Sequence, residues 1–320
     1  MGAEKESEDL PIQGGIAEVM ERGISADVCR LTRVLHSIVR CGLGPLSFVA
    51  SPAPLERLAD ETSGRSRFGY KIVLERPGTW SFMRAIILAA GAGTRLSPLT
   101  DSCPKCLVKV GDRPLIDLQI EALRAVGVED FVFVVGYEAE QIRSHCGATV
   151  RYIENVDYLT TNSIYSFYLA REQLDTDLFL FNCDVIFDGQ VLQRMLDSGH
   201  PNVVAVDSHV PMVAGEMNVM FDQSFRVHEI SKQLAPEKSS GLSIQLVKFD
   251  AAGARMVAAE VERLIADGRK EVFPTTAYSP LIAEGRLFAV EGGDLPWAEI
   301  DSIEDYEHAV GNVLPLLNAR

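Results

Sequence analysis

Residues 83–107, MRAIILAAGAGTRLSPLTDSCPKCL, restrict the fold more than any other stretch, because a short apolar strand opens directly into a glycine loop. The run 85–89 is apolar and bounded by glycine, as in a parallel strand covered on both faces. Gly91 and Gly93 lack a Cβ, so the loop backbone can approach a phosphate closely and aim N–H groups at it. Arg95 and Lys105 bring positive charge to the same mouth. These parts make a site for a nucleoside triphosphate. The loop is not a Walker A loop, since no GK[ST] follows at the required spacing. Leu96 stands where a dinucleotide-binding loop would carry a third glycine, and such a loop does not place arginine and lysine in this way.

Strand and helix patterns alternate from residue 83 onward. A helix is expected from Pro114 through Val126, ended by Gly127, then a buried strand over 130–136. A helix over 138–145, a strand over 150–153, a helix over 161–173 and a strand over 178–181 follow. This rhythm predicts an α/β fold with a doubly wound, mainly parallel sheet, and ligands at the carboxyl ends of its strands.

Two aspartates stand at such ends. Asp184 follows the apolar run LFLFNC and faces the triphosphate loop, a position suited to a Mg²⁺ ligand or to a plain turn. Asp301 closes the alternating run WAEI and immediately precedes Ser302-x-x-Asp305, a capping box, so a cap role is the lesser alternative to a metal role. Glu299 lies two residues earlier and shares its face.

The pattern LAAGxGTRL…PK resembles the signature of the nucleotidyltransferase superfamily that activates sugar phosphates and choline phosphate, and the likeness runs from residue 83 to about 310. The resemblance implies a Rossmann-like, GT-A-type sheet and a nucleotide site at Leu88, Ala89, Ala90, Gly91, Gly93, Thr94 and Arg95. It also implies Mg²⁺ held by Asp184 and Asp301, Arg95 on the departing phosphates, and Lys105 bridging the α-phosphate and the attacking group. Residues 155–170, NVDYLTTNSIYSFYLA, together with GEMNV and EISKQL, are similar to bacterial cytidylyltransferases acting on phosphocholine, inositol phosphate or phosphonates. On that likeness Lys232 touches the acceptor phosphate. An acceptor bearing choline or an aminoalkyl group calls for aromatic faces and a carboxylate, with Tyr158, Tyr165, Tyr278, Trp297 and Glu216 as candidates beside Asn162 and Glu299.

The chain departs from the sugar-activating members at Leu242 and Gln245, where those carry a glutamate and a glycine, and Tyr278 is followed by Ser279 and Pro280 rather than by acidic residues. The expected reaction is therefore transfer of CMP from CTP to a small phospho- or phosphono-compound, with release of pyrophosphate. A sugar-1-phosphate nucleotidyltransferase using UTP or dTTP is the first alternative. The second is a nucleotide-sensing transcriptional regulator.

Residues 1–82 read as an N-terminal helical extension to a catalytic domain at 83–320. Residues 16–40 carry an apolar stripe, and 55–67 loosely resembles a helix-turn-helix. Packing on the catalytic domain or formation of a homodimer is the expected role. The extension holds eleven acidic and ten basic residues, so nearly all of the formal charge of −15 lies in the catalytic part, against a general affinity for nucleic acid. No apolar run approaches the ~18 residues of a membrane span. The acidic N-terminus and six irregularly spaced cysteines fit a reducing cytoplasm. The CxxC of Cys103 and Cys106 has no second ligand pair, and no histidine pair has metal-ligand spacing.

Overall fold

The computed structural model describes residues 83–319, and the expectations for residues 1–82 lie outside the described residues. Strand β1 (Arg84–Ala89) passes through the glycine loop to the short pair β2 (Lys109–Val110) and β3 (Arg113–Pro114). Helix α1 (Leu115–Ala125), β4 (Asp130–Val135), α2 (Ala139–Cys146), β5 (Arg151–Glu154), α3 (Ser163–Leu169) and β6 (Leu178–Asn182) follow. Then come β7 (Val185–Phe187), α4 (Gln190–Asp197), β8 (Val203–Asp207), β9 (Asn218–Phe221), β10 (Val227–Ser231) and β11 (Gly241–Phe249). The chain continues through α5 (Ala251–Ala266), α6 (Ser279–Ala283), β12 (Phe288–Glu291), β13 (Trp297–Glu299), α7 (Ile303–His308) and α8 (Leu314–Asn318).

One large sheet runs in the order β10-β9-β11-β6-β1-β4-β5, with β8 beside β11 and β12 beside β8. Its central strands β6, β1, β4 and β5 are all parallel, and β12 is parallel to β8. β11 runs against both β6 and β8. The alternation of strand side chains divides the core between two faces. Ala85, Ile87 and Ala89 of β1 pack with Ile116, Leu123 and Ile142 of α1 and α2, whereas Ile86 and Leu88 pack with Ile164 of α3 and Val257, Val261 and Leu264 of α5. β1 is thus covered on both sides, as its uninterrupted apolar run demands, and each large aliphatic side chain so buried stabilises the fold by about 1.5–3 kcal/mol.

The helix expected over 161–173 is shorter. Asn162 starts it by accepting from the Ser163 N–H at 2.7 Å. The Ala170 N–H reaches Phe167 rather than the residue four back, and a separate 3₁₀ turn covers Arg171–Gln173. The capping box of Ser302 and Asp305 forms reciprocally at the start of α7. No helix among the described residues is long and apolar enough to cross a membrane.

Candidate active site

Parallel strands deliver their carboxyl ends to one edge of the sheet. β1 runs there into Ala90, β4 into Gly136, and β6 into Cys183 and Asp184. The loop after β1 turns at Gly93, whose φ of 60° is left-handed. A Cβ at this position would lie 3.2 Å from Lys105 Cβ and 3.3 Å from Thr100 Cγ2, so the glycine lets the loop close over the lysine. Gly136 permits a second close approach, since a Cβ there would meet the Ala90 carbonyl at 2.7 Å.

The two-stranded ladder of β7 and β13, separate from the main sheet, assembles the acids. Val185 is paired with Glu299, and the Ile300 N–H donates to the Asp184 carbonyl at 2.8 Å. This register places the carboxylates of Asp184, Glu299 and Asp301 within 4.8 Å of one another. Lys105 Nζ, nearly buried, donates to Asp184 Oδ2 at 2.9 Å and to Asp301 Oδ1 at 2.5 Å. Arg95 Nη2 donates to the other oxygen of Asp301 at 2.7 Å.

The electrostatics follow from these distances. Burial opposes the Lys105 charge, but Asp184 and Asp301 outweigh it and hold the ammonium well above its ordinary value. Burial likewise opposes the Asp301 charge, and Lys105 with Arg95 outweighs that, keeping the carboxyl below its usual range. At Glu299 the pull of Lys105 and Lys232 is outweighed. Burial, then the negative charges of Asp184 and Asp301, push it up to about 8. One oxygen of Asp184, Oδ1, is buried and has no hydrogen-bond partner. An oxygen-only donor set with such an orphaned oxygen suits a hard divalent cation.

These groups line a cavity of about 430 Å³. Among the residues expected from sequence it brings together Leu88, Ala90, Gly91, Gly93, Thr94, Arg95, Lys105, Tyr158, Asn162, Asp184, Lys232, Glu299 and Asp301. Ala89 lies buried beneath the loop in the core. Four of the expected acceptor residues do not line this cavity. Tyr278 is buried with its ring 5.2 Å from that of Phe249 and borders only a small recess that adjoins the cavity. Tyr165 stacks on Tyr168 at 5.9 Å, and Lys270 Nζ lies 5.1 Å from its ring centre. Trp297 Nε1 donates to Asp207 Oδ2 at 2.8 Å, at the end of β13 remote from Asp301. Glu216 is solvent-exposed on the loop before β9 and does not line the cavity.

Sequence reasoning missed Asn155, Met217, Gln245, Glu271 and Phe273, which also line the cavity. Lys232 Nζ lies 5.3 Å from the Phe273 ring centre, and Asn162 Nδ2 donates to the Glu271 carbonyl at 3.1 Å. Asn155 and Met217 fall in the family-like segments around 155–170 and 215–219, and Gln245 stood out as a departure from the sugar-activating pattern and as a polar residue inside the apolar run of β11, whereas Glu271 and Phe273 carried no signal. A second group, Asp207, His209 and Glu291, also gathers ligand-type atoms within 4.8 Å. Its carboxylates already accept from Trp297, from the backbone of His209 and Gly293, and from Ser208.

Residues 85–286 match the family model of the MobA-like NTP transferase domain. The choline-phosphate cytidylyltransferase of Streptococcus pneumoniae is 29% identical over 228 residues, covering 70% of this chain and 95% of that protein. The 2-aminoethylphosphonate cytidylyltransferase of Lancefieldella rimae is 42% identical over 116 residues, which are 34% of this chain and 46% of that protein. The solved structure of a CTP:phosphocholine cytidylyltransferase from Streptococcus pneumoniae superposes with a TM-score of 0.59 at 26% identity, over 71% of this chain and 97% of that one.

Proposed function

We propose for this chain, which belongs to the MobA-like NTP transferase family and is a nucleotidyltransferase, the Mg²⁺-dependent transfer of CMP from CTP to a small phosphate or phosphonate. The observation that carries this reading is the Lys105 ammonium set between Asp184 and Asp301, directly under the glycine loop. The choice of CTP and of a small acceptor is supported by the named activities of the two cytidylyltransferase relatives.

In this reading the backbone N–H groups of the 91–93 loop receive the triphosphate, and exposed Arg95 binds the β- and γ-phosphates. Asp184 and Asp301 would hold Mg²⁺, with Glu299 beside them, and the ion when bound supplies positive charge to the phosphates. Lys105 gives up part of its contact with the aspartates to reach the α-phosphate and the incoming oxygen. Lys232, which lines the cavity beside Phe273, holds the acceptor phosphate. An acceptor oxygen lone pair forms a bond to the α-phosphorus. The bond from that phosphorus to the β-phosphate oxygen breaks, and its electron pair leaves with pyrophosphate. An ionised acceptor has no proton to surrender, so position and positive charge suffice, and no general base is required.

The test is pyrophosphate release with Mg²⁺ for CTP, UTP, dTTP, ATP and GTP, each against phosphocholine, 2-aminoethylphosphonate, inositol phosphate and hexose 1-phosphates. Release confined to CTP with a small acceptor supports the reading. Release with hexose 1-phosphates and UTP or dTTP replaces it with sugar activation. Silence throughout, together with a salt-dependent shift of duplex DNA, would move the chain to the regulatory alternative.

A further inference from the structure

Three described non-glycine residues have a left-handed backbone: Glu138 at φ 50°, Phe225 at φ 60° and Gln245 at φ 65°. Glu138 precedes α2 and Phe225 lies in the turn between β9 and β10, places where such a conformation is common. Gln245 alone lies inside a strand. The ladder is broken around it. Ser243 is paired with Val206 and Val247 with Val204, so β11 carries extra residues against β8. Pairing with β6 begins only at Leu246. The Gln245 N–H turns aside to Ser243 Oγ at 3.1 Å.

A bulge with left-handed backbone is ordinarily built on glycine, and a side chain there is under strain. The side chain of Gln245 does nothing for the fold that offsets it, since its amide makes no hydrogen bond to another described residue. It lines the cavity instead, at the junction with an inner recess of about 40 Å³. Met217 and Phe273 border both spaces beside it.

Building on the cytidylyl-transfer reading, we propose that Gln245 sets the size of the acceptor. Its side chain partitions the inner recess from the main cavity, and its amide meets the end of the acceptor remote from the phosphate. The acceptor class is accordingly a phosphate or phosphonate with a short, compact substituent. Polyhydroxylated rings are shut out by the space that the side chain occupies.

Two variants separate backbone strain from side-chain volume. Gln245→Gly removes both, and Gln245→Ala removes the side chain beyond Cβ while keeping the strained backbone. With CTP and Mg²⁺, the ratio of kcat/KM for glucose 1-phosphate to that for the better of phosphocholine and 2-aminoethylphosphonate is expected to rise at least tenfold in both. Tm is expected to rise by about 2–4 °C in Gln245→Gly and not in Gln245→Ala. A ratio unchanged in both variants, or a Tm that falls in Gln245→Gly, overturns the inference while leaving the cytidylyl-transfer reading intact. A wild-type protein silent with every acceptor overturns that reading, and the inference with it.

Discussion

The ammonium of Lys105 lies 2.9 Å from Oδ2 of Asp184, a carboxylate 79 residues further along the chain. Lys105 follows the glycine loop that leaves β1, and Asp184 follows β6, the strand beside β1 in the sheet, so the contact joins the ends of two neighbouring strands. It also leaves Asp184 Oδ1 unpartnered, with Glu299 and Asp301 close by. Three acids here face Lys105 and the exposed Arg95, and the predictions below follow from that balance.

Asp184→Asn keeps the side-chain shape and removes the charge. Pyrophosphate release is expected to fall by roughly 10²–10³-fold or more, the usual cost of losing a group that stabilises transition-state charge. Far-ultraviolet circular dichroism is expected to stay unchanged, and activity within tenfold of wild type would exclude Asp184 from metal binding.

Lys105→Met strips the partly buried carboxylates of Asp184 and Asp301 of their main counter-charge. Breaking such a pair costs about 3–5 kcal/mol, which would appear as a lowered urea midpoint in metal-free buffer. Mg²⁺ at about 100 times its dissociation constant is expected to restore about 2.7 kcal/mol, because it binds the native acids and not the unfolded chain. A midpoint indifferent to Mg²⁺ would contradict a cation site at Asp184 and Asp301.

The raised value of Glu299 makes metal-free stability depend on pH. Its folded value of about 8 lies above the ordinary 4.5, so between those limits the native state keeps a proton that the unfolded chain has lost. Stability contributed by this group is full below about 4.5 and declines as pH rises toward 8, at up to about 1.4 kcal/mol per pH unit. Asp301, with a lowered value, acts in the opposite sense and only in more acidic solution. Glu299→Gln should flatten the slope between pH 5 and 8 in chemical denaturation, and an unaltered slope would refute the assignment.

Gly136→Ala places a methyl group against the Ala90 carbonyl at 2.7 Å and the Tyr158 ring at 3.0 Å. The glycine loop must shift to admit it, so KM for CTP is expected to rise tenfold or more, with about 1–3 kcal/mol lost from stability. Steady-state kinetics with CTP varied, beside a thermal melt, reads both effects.

Trp297→Phe leaves Asp207 Oδ2 without the indole donor inside the fold. A loss of about 1–3 kcal/mol is expected. KM for the acceptor is expected to stay within twofold, since Trp297 does not line the cavity. A large rise in that KM would return Trp297 to the acceptor site.

The strand at 85–89, the glycine loop and the capping box at Ser302 were legible because each depends on neighbours in sequence: an apolar run, a missing Cβ, and a hydroxyl three residues from a carboxylate. Asp184 and Asp301 were legible as strand-end acids, but their approach to Lys105 depends on the β7–β13 ladder, which no local pattern announces. The acceptor wall was read least well. Tyr278 and Trp297 have the right chemistry for binding a cation, yet core packing and the Asp207 acceptor engage them elsewhere. Glu271 and Phe273 reach the cavity from the segment between α5 and α6, whose path is fixed by tertiary contacts alone. Gln245 shows as a departure from the sugar-activating pattern and as a polar interruption, but its strained backbone stays hidden, because sequence does not display the sign of φ.

Asp301 follows Lys105 by 196 residues, and the ladder that positions it is formed by β13. A ribosome adding about 5–20 residues per second needs about 10–40 s to cover that interval. Once Asp184 has been added, 79 residues into that interval, the nascent chain holds the glycine loop, the lysine and one aspartate, but not yet Asp301. The buried lysine therefore waits for its second carboxylate partner, and the three acids meet only after a stretch near residue 300 has joined a ladder begun more than a hundred residues earlier.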